Sequence, residues 1–484
     1  MKNTYLNPTQ YQELGTHIID RLTHFLNSIE NTPLTNAESP AQVQEALGLS
    51  SLPVNGVDAE DIVKETLDKL LNHSLYNGHP GFMGYITSSP LPIGALADLI
   101  ASTINQNVGG YRLAPMASEI ERQSIQWLAE FLNYNNDCGG IFVSGGNMAN
   151  FLGFLTAKTI KGGKDIQTKG LKNMDKQLVC YASEETHTWI QKASDLFGLG
   201  RDAVRWISTN DNREMDMKAL EATIKKDIDD GMHPFMVVGT GGSVSFGVVD
   251  PMQKINDICK KYNLWFHIDG AYGAPAAASQ YAPENLQLLH LADSIAMDPH
   301  KWLYSPLEVG CTLVKDPDHL RQTFSHSPAY YEFANSVNEI DYHEYGMQNS
   351  RGFRALKVWM GFKLLGKEGA IAYIDKDIEL SRFLFDATEN YENISAYSNH
   401  LSITTFRYIP SAFVGEEEKH TKEINELNKA ILHKIFQSGK AFVSNAMLGD
   451  VYLLRACLVN FRTRKNDIED LLKMVDGFGE ELSS

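Results

Sequence analysis

Residues 298–303 read Asp-Pro-His-Lys-Trp-Leu, and an earlier stretch, residues 267–272, reads His-Ile-Asp-Gly-Ala-Tyr. Each stretch adjoins a short apolar run, so we expect both to lie at the ends of buried strands. Together they supply a carboxylate, Asp269, and an amine, Lys301. A lysine can form a Schiff base with an aldehyde cofactor, and a carboxylate can keep that cofactor's ring nitrogen protonated. Alone, either residue is more often a surface charge or a helix cap, but the pair predicts a cofactor site.

From Gly139 onward, short apolar runs alternate with stretches of helical periodicity. Repeated alternation of this kind is typical of an α/β fold, with a mostly parallel sheet and helices on both faces. Ligands of such sheets bind beyond the carboxyl ends of the strands, which is where the two polar stretches are expected. The predicted strands are residues 141–143, 178–181, 203–207, 235–238 and 265–268.

The pattern changes after Gly369, where helices surround a run at 401–408 and a predicted hairpin of 441–446 with 452–458. We therefore predict three parts: an N-terminal helical segment (1–95), a large cofactor-binding domain (96–370) and a small α+β C-terminal domain (371–484).

The N-terminal segment is predicted to begin with an amphipathic helix over residues 11–29, with Thr9 and Gln12 as its capping box. Its apolar stripe needs a partner surface, which is either its own domain or a second copy of the chain. Residues 31–57, rich in Pro, Ser and Asn, are interpreted as a connector.

The composition excludes several classes of protein. A chain of 484 residues that is 43% hydrophobic is long enough for two or three globular domains. A net charge of −17, spread through mixed-sign segments, argues against nucleic-acid binding. Five widely spaced cysteines predict neither a disulfide framework nor a metal site and favour a reducing compartment. No signal-like segment or run of about 20 apolar residues is present, so we expect no membrane association and a cytoplasmic location.

Two glycine-rich stretches have different interpretations. Residues 144–147, Ser-Gly-Gly-Asn, fall between a predicted strand and a predicted helix, where small residues and free amides suit a phosphate. A tight turn is the plainer alternative. Residues 239–242, Gly-Thr-Gly-Gly, suggest a dinucleotide fingerprint, but no helix opens after them, so that hypothesis fails.

Taken in their order along the chain, the motifs resemble those of group II pyridoxal-phosphate decarboxylases, the family of aromatic-amino-acid, glutamate and cysteine-sulfinate decarboxylases. Its signatures include a His-Val-Asp-Ala-Ala-Tyr-like strand and Asn-Pro-His-Lys-Trp. Residues 144–150 and 454–463 also match. The resemblance implies a fold-type-I structure, pyridoxal 5'-phosphate as cofactor, a homodimer, and decarboxylation of an L-amino acid to the amine and CO2 through a Schiff base on Lys301.

The resemblance also assigns individual cofactor contacts. Gly146 and Asn147 would contact the phosphate, His187 would stack over the ring, and Ala271 would lie on the opposite ring face. Asp269 would contact the ring nitrogen. The full implied set is Gly146, Asn147, His187, Ser243, Asp269, Ala271, His300 and Lys301.

The predicted catalytic residues are Lys301, His187 and Asp269, together with Tyr342. Tyr342 lies in a polar segment, residues 324–347, that closes over the site in the resembling family. The resemblance makes its hydroxyl the acid that protonates the carbanion after CO2 leaves. Tyr330, Tyr331 and Tyr345 are neighbouring alternatives. Relatives with phenylalanine here tend towards oxidative deamination to aldehydes, so retention of the tyrosine favours simple decarboxylation.

The substrate stays open between mid-sized and aromatic L-amino acids. Residues 79–86 resemble the family segment that walls the side-chain pocket, which assigns His79 and Tyr85 to substrate binding. Asn77 and Ile86 replace aromatic residues of the aromatic-amino-acid enzymes. Arg455 matches an arginine that lies near the substrate carboxylate or, equally, has a structural role.

Two other classes of function remain as alternatives. One is another fold-type-I activity: an aminotransferase, a carbon–carbon lyase or an aldehyde-forming oxidative deaminase. The other is a cofactor-binding pseudoenzyme.

Overall fold

A computed structural model describes residues 6–48, 50–163, 165–326 and 339–484. The chain groups into two compact units. The larger comprises residues 86–382 and 398–404, and the smaller comprises the residues up to Tyr85 together with 383–397 and 405–484. The three-part division predicted above, with its boundaries at 95 and 370, stays a prediction.

The helices of the described residues are numbered in chain order. They are α1 (Pro8–Ser28), α2 (Pro40–Leu47), α3 (Ala59–Asn72), α4 (Pro92–Ile104), α5 (Pro115–Phe131), α6 (Gly146–Gly162), α7 (Asp165–Lys169), α8 (Trp189–Leu196), α9 (Met217–Asp229), α10 (Met252–Tyr262), α11 (Pro299–Trp302), α12 (Pro317–Phe324), α13 (Ala355–Ala387, broken at Gly366), α14 (Thr421–Gln437) and α15 (Lys465–Ser483).

The strands are numbered in the same way. They are β1 (Gly139–Val143), β2 (Leu178–Ser183), β3 (Val204–Ile207), β4 (His233–Thr240), β5 (Trp265–Asp269), β6 (Ser294–Met297), β7 (Gly310–Val314), β8 (Ile394–His400), β9 (Ile403–Tyr408), β10 (Ser444–Leu448) and β11 (Val451–Cys457).

The larger unit is built on a seven-stranded sheet in the order β1-β7-β6-β5-β4-β2-β3. Strands β2 to β6 pair in parallel, whereas β7 is antiparallel to both β6 and β1. Strands β1, β2, β5 and β6 are buried along their whole length, because helices cover both faces, and this explains why they read as continuous apolar runs. The predicted α/β class and the five predicted strands are confirmed.

The register of the central strands brings distant polar residues together. Asp269 at the end of β5 pairs with Thr240 at the end of β4, and His267 pairs with Ser294 at the start of β6. The carboxyl ends of β1, β2, β4, β5 and β6 therefore share one edge, and the polar stretches identified above follow them.

In the smaller unit, β10 and β11 form an antiparallel hairpin, and α14 packs against β11 and α15. The predicted hairpin is confirmed, although its first strand begins at Ser444 rather than at residue 441.

Two predictions about the N-terminal segment were wrong in detail. Helix α1 is capped by Asn7 with Gln10, not by Thr9 with Gln12, because Pro8, which lacks an N–H, suits the first helical position. The region interpreted as a connector contains α2, which Ser39 caps and Pro40 begins. Among the described residues, no helix has both the length and the apolar character to cross a bilayer.

Candidate active site

A cavity of about 440 Å³ lies at the carboxyl edge of the seven-stranded sheet. The loops after β1, β4, β5 and β6 supply most of its walls. The structure brings together on this cavity all the predicted cofactor contacts except Ser243: Gly146, Asn147, His187, Asp269, Ala271, His300 and Lys301.

One end of the cavity is shaped to receive an anion. Gly145 has φ 133°, a conformation that favours glycine, and its carbonyl accepts the first hydrogen bond of α6 from Ala149 N at 2.9 Å. A Cβ at Gly146 would come 2.5 Å from Asp298 Oδ2, and a Cβ at Gly145 would come 3.2 Å from His300 Cε1. Because the amides at the start of a helix lack intrahelical partners, this glycine pair fits the phosphate of pyridoxal phosphate.

Asp269 is buried at the end of β5, and three N–H groups hold its carboxylate. Trp189 Nε1 donates to Oδ2 at 2.7 Å, while Asn150 Nδ2 and the amide of Ala271 donate to Oδ1 at 3.3 and 3.2 Å. These donors fix the positions of both carboxylate oxygens. The group therefore suits a protonated ring nitrogen.

Lys301 lies on α11, directly after β6. Its Nζ is 3.1 Å from Oδ2 of Asp298, a carboxylate that is 1% exposed. Oδ1 of Asp298 has no hydrogen-bond partner among the described residues. His300 Nε2 lies 3.8 Å from the same Oδ2, and His300 Nδ1 is 2.7 Å from the carbonyl of Val309. The lysine amine and the Asp269 carboxylate thus line one cavity, as a Schiff-base cofactor requires.

His187 lines the cavity just before α8. Its Nδ1 accepts a hydrogen bond from the amide of Trp189 at 3.3 Å, so its proton lies on Nε2. Burial lowers the pKa of this imidazole, and also that of His300. His187 is therefore neutral near pH 7, and a neutral imidazole can stack on a cofactor ring without adding charge.

Ser243 does not line the cavity, although its neighbours Gly242 and Val244 do. The Ser243 hydroxyl instead accepts from the amide of Val248 at 3.2 Å, and the Ser243 amide donates to the Val248 carbonyl at 2.8 Å. It is buried and stabilises its own turn. Its cofactor contact stays a prediction.

Tyr342 is also absent from the described cavity lining. It is 2% exposed, and its ring packs under the guanidinium of Arg351, which is 5.1 Å from the ring centroid. Arg351 in turn pairs with Glu121 at 2.6 Å, and both partners are fully buried. Burial raises the pKa of the Tyr342 hydroxyl well above its usual value. Its catalytic role stays a prediction, and the alternatives Tyr330 and Tyr331 lie outside the described residues.

The predicted substrate residues lie in the smaller unit. Arg455 is buried, and its Nη1 donates to Tyr85 O at 3.3 Å and to Ser444 Oγ at 3.0 Å. His79 is buried as well, its Nδ1 accepting from Gly81 N at 3.0 Å. Tyr85 is 63% exposed. The structure joins Tyr85 and Arg455, and their role in substrate binding stays a prediction.

Several residues of the site received no role from the sequence. They are Asn150, Trp189, His267, Ser294 and Asp298. A signal existed for three of them. Asp298 opens the motif that contains Lys301. His267 lies two residues before Asp269 in a strand, and Asn150 lies four after Gly146 in a helix, so each of these two shares a face with a predicted residue. Trp189 and Ser294 reach the site only through folding.

The comparisons with known proteins agree with this geometry. The family model for the pyridoxal-dependent decarboxylase conserved domain matches residues 44–409. The chain is 31% identical to aromatic-L-amino-acid decarboxylase of Bacillus atrophaeus, over 100% of this chain and 98% of that protein. It is 26% identical to 4-hydroxyphenylacetaldehyde synthase of Rhodiola rosea, over 100% and 98%.

Among solved structures, Oryza sativa TDC with PLP and tryptamine superposes with a TM-score of 0.90 at 23% identity, covering 99% of both chains. The match confirms the fold. The predicted family and the predicted cofactor, pyridoxal phosphate, are confirmed by the family model. The chain belongs to the family of pyridoxal-dependent decarboxylases.

Proposed function

We propose that this pyridoxal-dependent decarboxylase acts on an L-amino acid with an aromatic or mid-sized side chain and releases the amine and CO2. The observation that carries the proposal is the presence of Lys301 and the Asp269 carboxylate on one cavity, with the glycine pair of α6 at one end. When bound, pyridoxal phosphate supplies an electron sink for the pair of electrons that the departing carboxyl group leaves behind.

The residues of the chain divide the remaining work. The start of α6, at Gly146 and Asn147, would hold the phosphate, and Asp269 would face the ring nitrogen. Lys301 supplies the amine that attaches the cofactor and gives way to the amine of the substrate. His187, in its neutral form, would cover one face of the ring, and the methyl group of Ala271 would leave room on the other.

The second catalytic assignment in the proposal is Tyr342 as proton donor to the substrate carbon. The Tyr342 hydroxyl is protonated near neutral pH and so has a proton to donate, although burial raises its pKa and makes it a weaker acid in its present position. Tyr342 does not line the cavity described for its own chain and is 2% exposed, so it must leave its packing against Arg351 to serve either its own cavity or, as we propose, that of a second copy. His79, Tyr85 and Arg455 are proposed to contact the substrate.

The same proposal includes a cytoplasmic homodimer. Helix α1 buries none of its residues, and apolar side chains on it are exposed, Tyr11 at 50% and Ile19 at 41% among them. Apolar stripes of this kind are usually covered by a partner. Light scattering tests the assembly, and a fully active monomer would overturn it.

The test of the activity is an assay of CO2 and amine release from a panel of the common L-amino acids, with added pyridoxal phosphate. Release from one class of side chain supports the proposal and identifies the substrate class. Formation of a keto acid in place of CO2 would assign an aminotransferase. Full cofactor binding with no turnover over the panel would assign a cofactor-binding protein without activity.

Oxidative deamination to an aldehyde is the second candidate. Two observations favour it: a relative is named as an aldehyde synthase, and Tyr342 does not line the cavity of its own chain. The same assay distinguishes it, because this route consumes O2 and yields aldehyde, ammonia and peroxide along with CO2.

A further inference from the structure

We propose that Ser294, His267 and Asn150 form an ordered hydrogen-bond relay that holds the Asp269 carboxylate in position as the acceptor for the cofactor's ring nitrogen. Ser294 and His267 lie behind Asp269 and are not in the described cavity lining, whereas Asn150 lines the cavity and also donates to Asp269. All three are proposed to act through Asp269, as positioning residues. The proposal deepens the proposed function and rests on it only in that Asp269 faces the ring nitrogen.

The relay is continuous and buried. His267 Nδ1 is 2.7 Å from Ser294 Oγ, and His267 Nε2 is 2.7 Å from Asn150 Oδ1. Asn150 Nδ2 then donates to Asp269 Oδ1 at 3.3 Å. All of these residues are 7% exposed or less, and His267 and Ser294 are fully buried. Their hydrogen bonds therefore form without competition from bulk water.

The groups at the two ends of the relay fix the direction of every proton in it. At one end, Trp265 Nε1, which can only donate, gives its proton to Ser294 Oγ at 2.8 Å. Ser294 Oγ then still has its own proton, which it can donate to His267 Nδ1. In this arrangement His267 carries its proton on Nε2 and donates it to Asn150 Oδ1.

The other end of the relay decides the direction. The carbonyl of Gly146, which can only accept, takes a hydrogen bond from Asn150 Nδ2 at 2.9 Å. This contact identifies the nitrogen of the Asn150 amide and leaves its oxygen facing His267. Reversing the amide would place its oxygen against both the Gly146 carbonyl and the Asp269 carboxylate, which is repulsive. One arrangement of protons satisfies both ends.

The relay requires a neutral imidazole. Burial lowers the pKa of His267 to about 4, and Asp269 is the charged group that faces it. Helix α6 is also built closely against the ring, since a Cβ at Gly153 would come 2.6 Å from His267 Cε1. The imidazole therefore has little room to turn and exchange its two nitrogens.

The direct test is the tautomer of His267 in the wild-type protein, by NMR of imidazole nitrogens after 15N-histidine labelling. We expect the neutral Nε2–H form, unchanged between about pH 5.5 and pH 9. A neutral Nδ1–H form, or titration within that range, would overturn the proposal. The measurement needs neither a variant nor activity, so it stands if the substrate assay fails.

A second test measures the consequence for the cofactor. Ser294→Ala and His267→Phe should weaken pyridoxal phosphate binding about tenfold, the effect of one disrupted buried hydrogen bond. Both should also shift the 15N resonance of labelled cofactor's ring nitrogen towards the unprotonated form. Thr156→Val is the matched control: its hydroxyl is buried on α6 but donates to Leu152 O at 2.8 Å, outside the relay. A wild-type ring-nitrogen resonance in both relay variants would overturn the proposal.

Discussion

Asp269 and Asp298 are buried carboxylates on the same cavity, but their surroundings differ. Both oxygens of Asp269 accept hydrogen bonds, and a relay of buried side chains extends behind it. Oδ2 of Asp298 lies 3.1 Å from the Lys301 amine and 3.8 Å from His300 Nε2, and among the described residues its Oδ1 has no hydrogen-bond partner. The family signature given above has asparagine at the position of Asp298.

The difference separates two tasks of one site. A buried polar group that is fully hydrogen-bonded keeps its position, whereas an unsatisfied one costs about 1–3 kcal/mol and is tolerated mainly at functional sites. Asp269 and the residues that hydrogen-bond to it, here called the Asp269 side, are therefore in position for a ring nitrogen before any ligand binds. Asp298 and Lys301 form the other part, here called the Asp298 side. The hydrogen bonding of Asp298 depends on Lys301, the residue whose bonding changes in the reaction. Four predictions follow this contrast, beginning with the largest expected effect.

Lys301→Ala removes the reactive group from the Asp298 side and leaves the Asp269 side intact. We expect complete loss of decarboxylation and of covalent cofactor attachment, because no other amine replaces the Schiff-base lysine. Mass spectrometry after borohydride reduction measures the attachment. A stable cofactor adduct in the variant would show that another residue carries the cofactor.

The acid limit of stability tests the Asp269 side. Because the pKa of His267 is about 4 in the folded protein against 6.5 for an ordinary histidine, the unfolded chain binds a proton first as the pH falls. The stability that the neutral His267 imidazole contributes is complete above about pH 6.5. It is lost as the pH falls towards 4, which lowers the free energy of unfolding by a few kcal/mol. Urea unfolding at several pH values measures it. His267→Phe should flatten this loss, and an unchanged slope would contradict the assignment.

A matched pair of isosteric substitutions compares the two carboxylates directly. Asp269→Asn places an amide NH2 against N–H donors and should lower the free energy of unfolding of the cofactor-free protein by about 2 kcal/mol. Asp298→Asn keeps an amide oxygen to which Lys301 can donate and removes only the charge that faces Lys301 and His300, so it should change this free energy by less than about 1 kcal/mol. Urea midpoints provide the measurement. Equal losses of unfolding free energy in the two variants would show that the different surroundings of Asp269 and Asp298 do not affect stability.

Tyr342→Phe has the smallest expected effect on cofactor binding. It tests a residue that belongs neither to the Asp269 side nor to the Asp298 side. We expect cofactor binding within about twofold of wild type and a severalfold larger share of aldehyde among the products, since the proton donor is lost. Product analysis by chromatography checks this. An unchanged product ratio would restrict Tyr342 to its packing against Arg351.

Much of the fold and the centre of the site could be predicted from local sequence. The five predicted strands, β1 to β5, were visible because they are mainly continuous apolar runs, and the glycines at the start of α6 because only small residues fit there. The parallel strand β6 was not among the predicted strands. Ser243 was predicted at the cavity but lies one position away from its lining, since its hydroxyl stabilises a turn. The predicted cap of α1 was two residues too far along the chain, because Pro8 is suited to the first helical position and makes Asn7 the cap.

The sequence by itself determined the order of strands and helices, the family, and the identities of Lys301 and Asp269, because these depend on local periodicity and on contiguous motifs. Only the tertiary structure decided what holds Asp269. The partners of Asp269 and the relay behind them come from β5, β6, α6 and α8. Each hydrogen bond among them depends on distances that must be correct within a few tenths of an ångström. Sequence spacing carries no such distance between residues as far apart as 150 and 267. That information exists only once the sheet register and the packing of α6 are fixed.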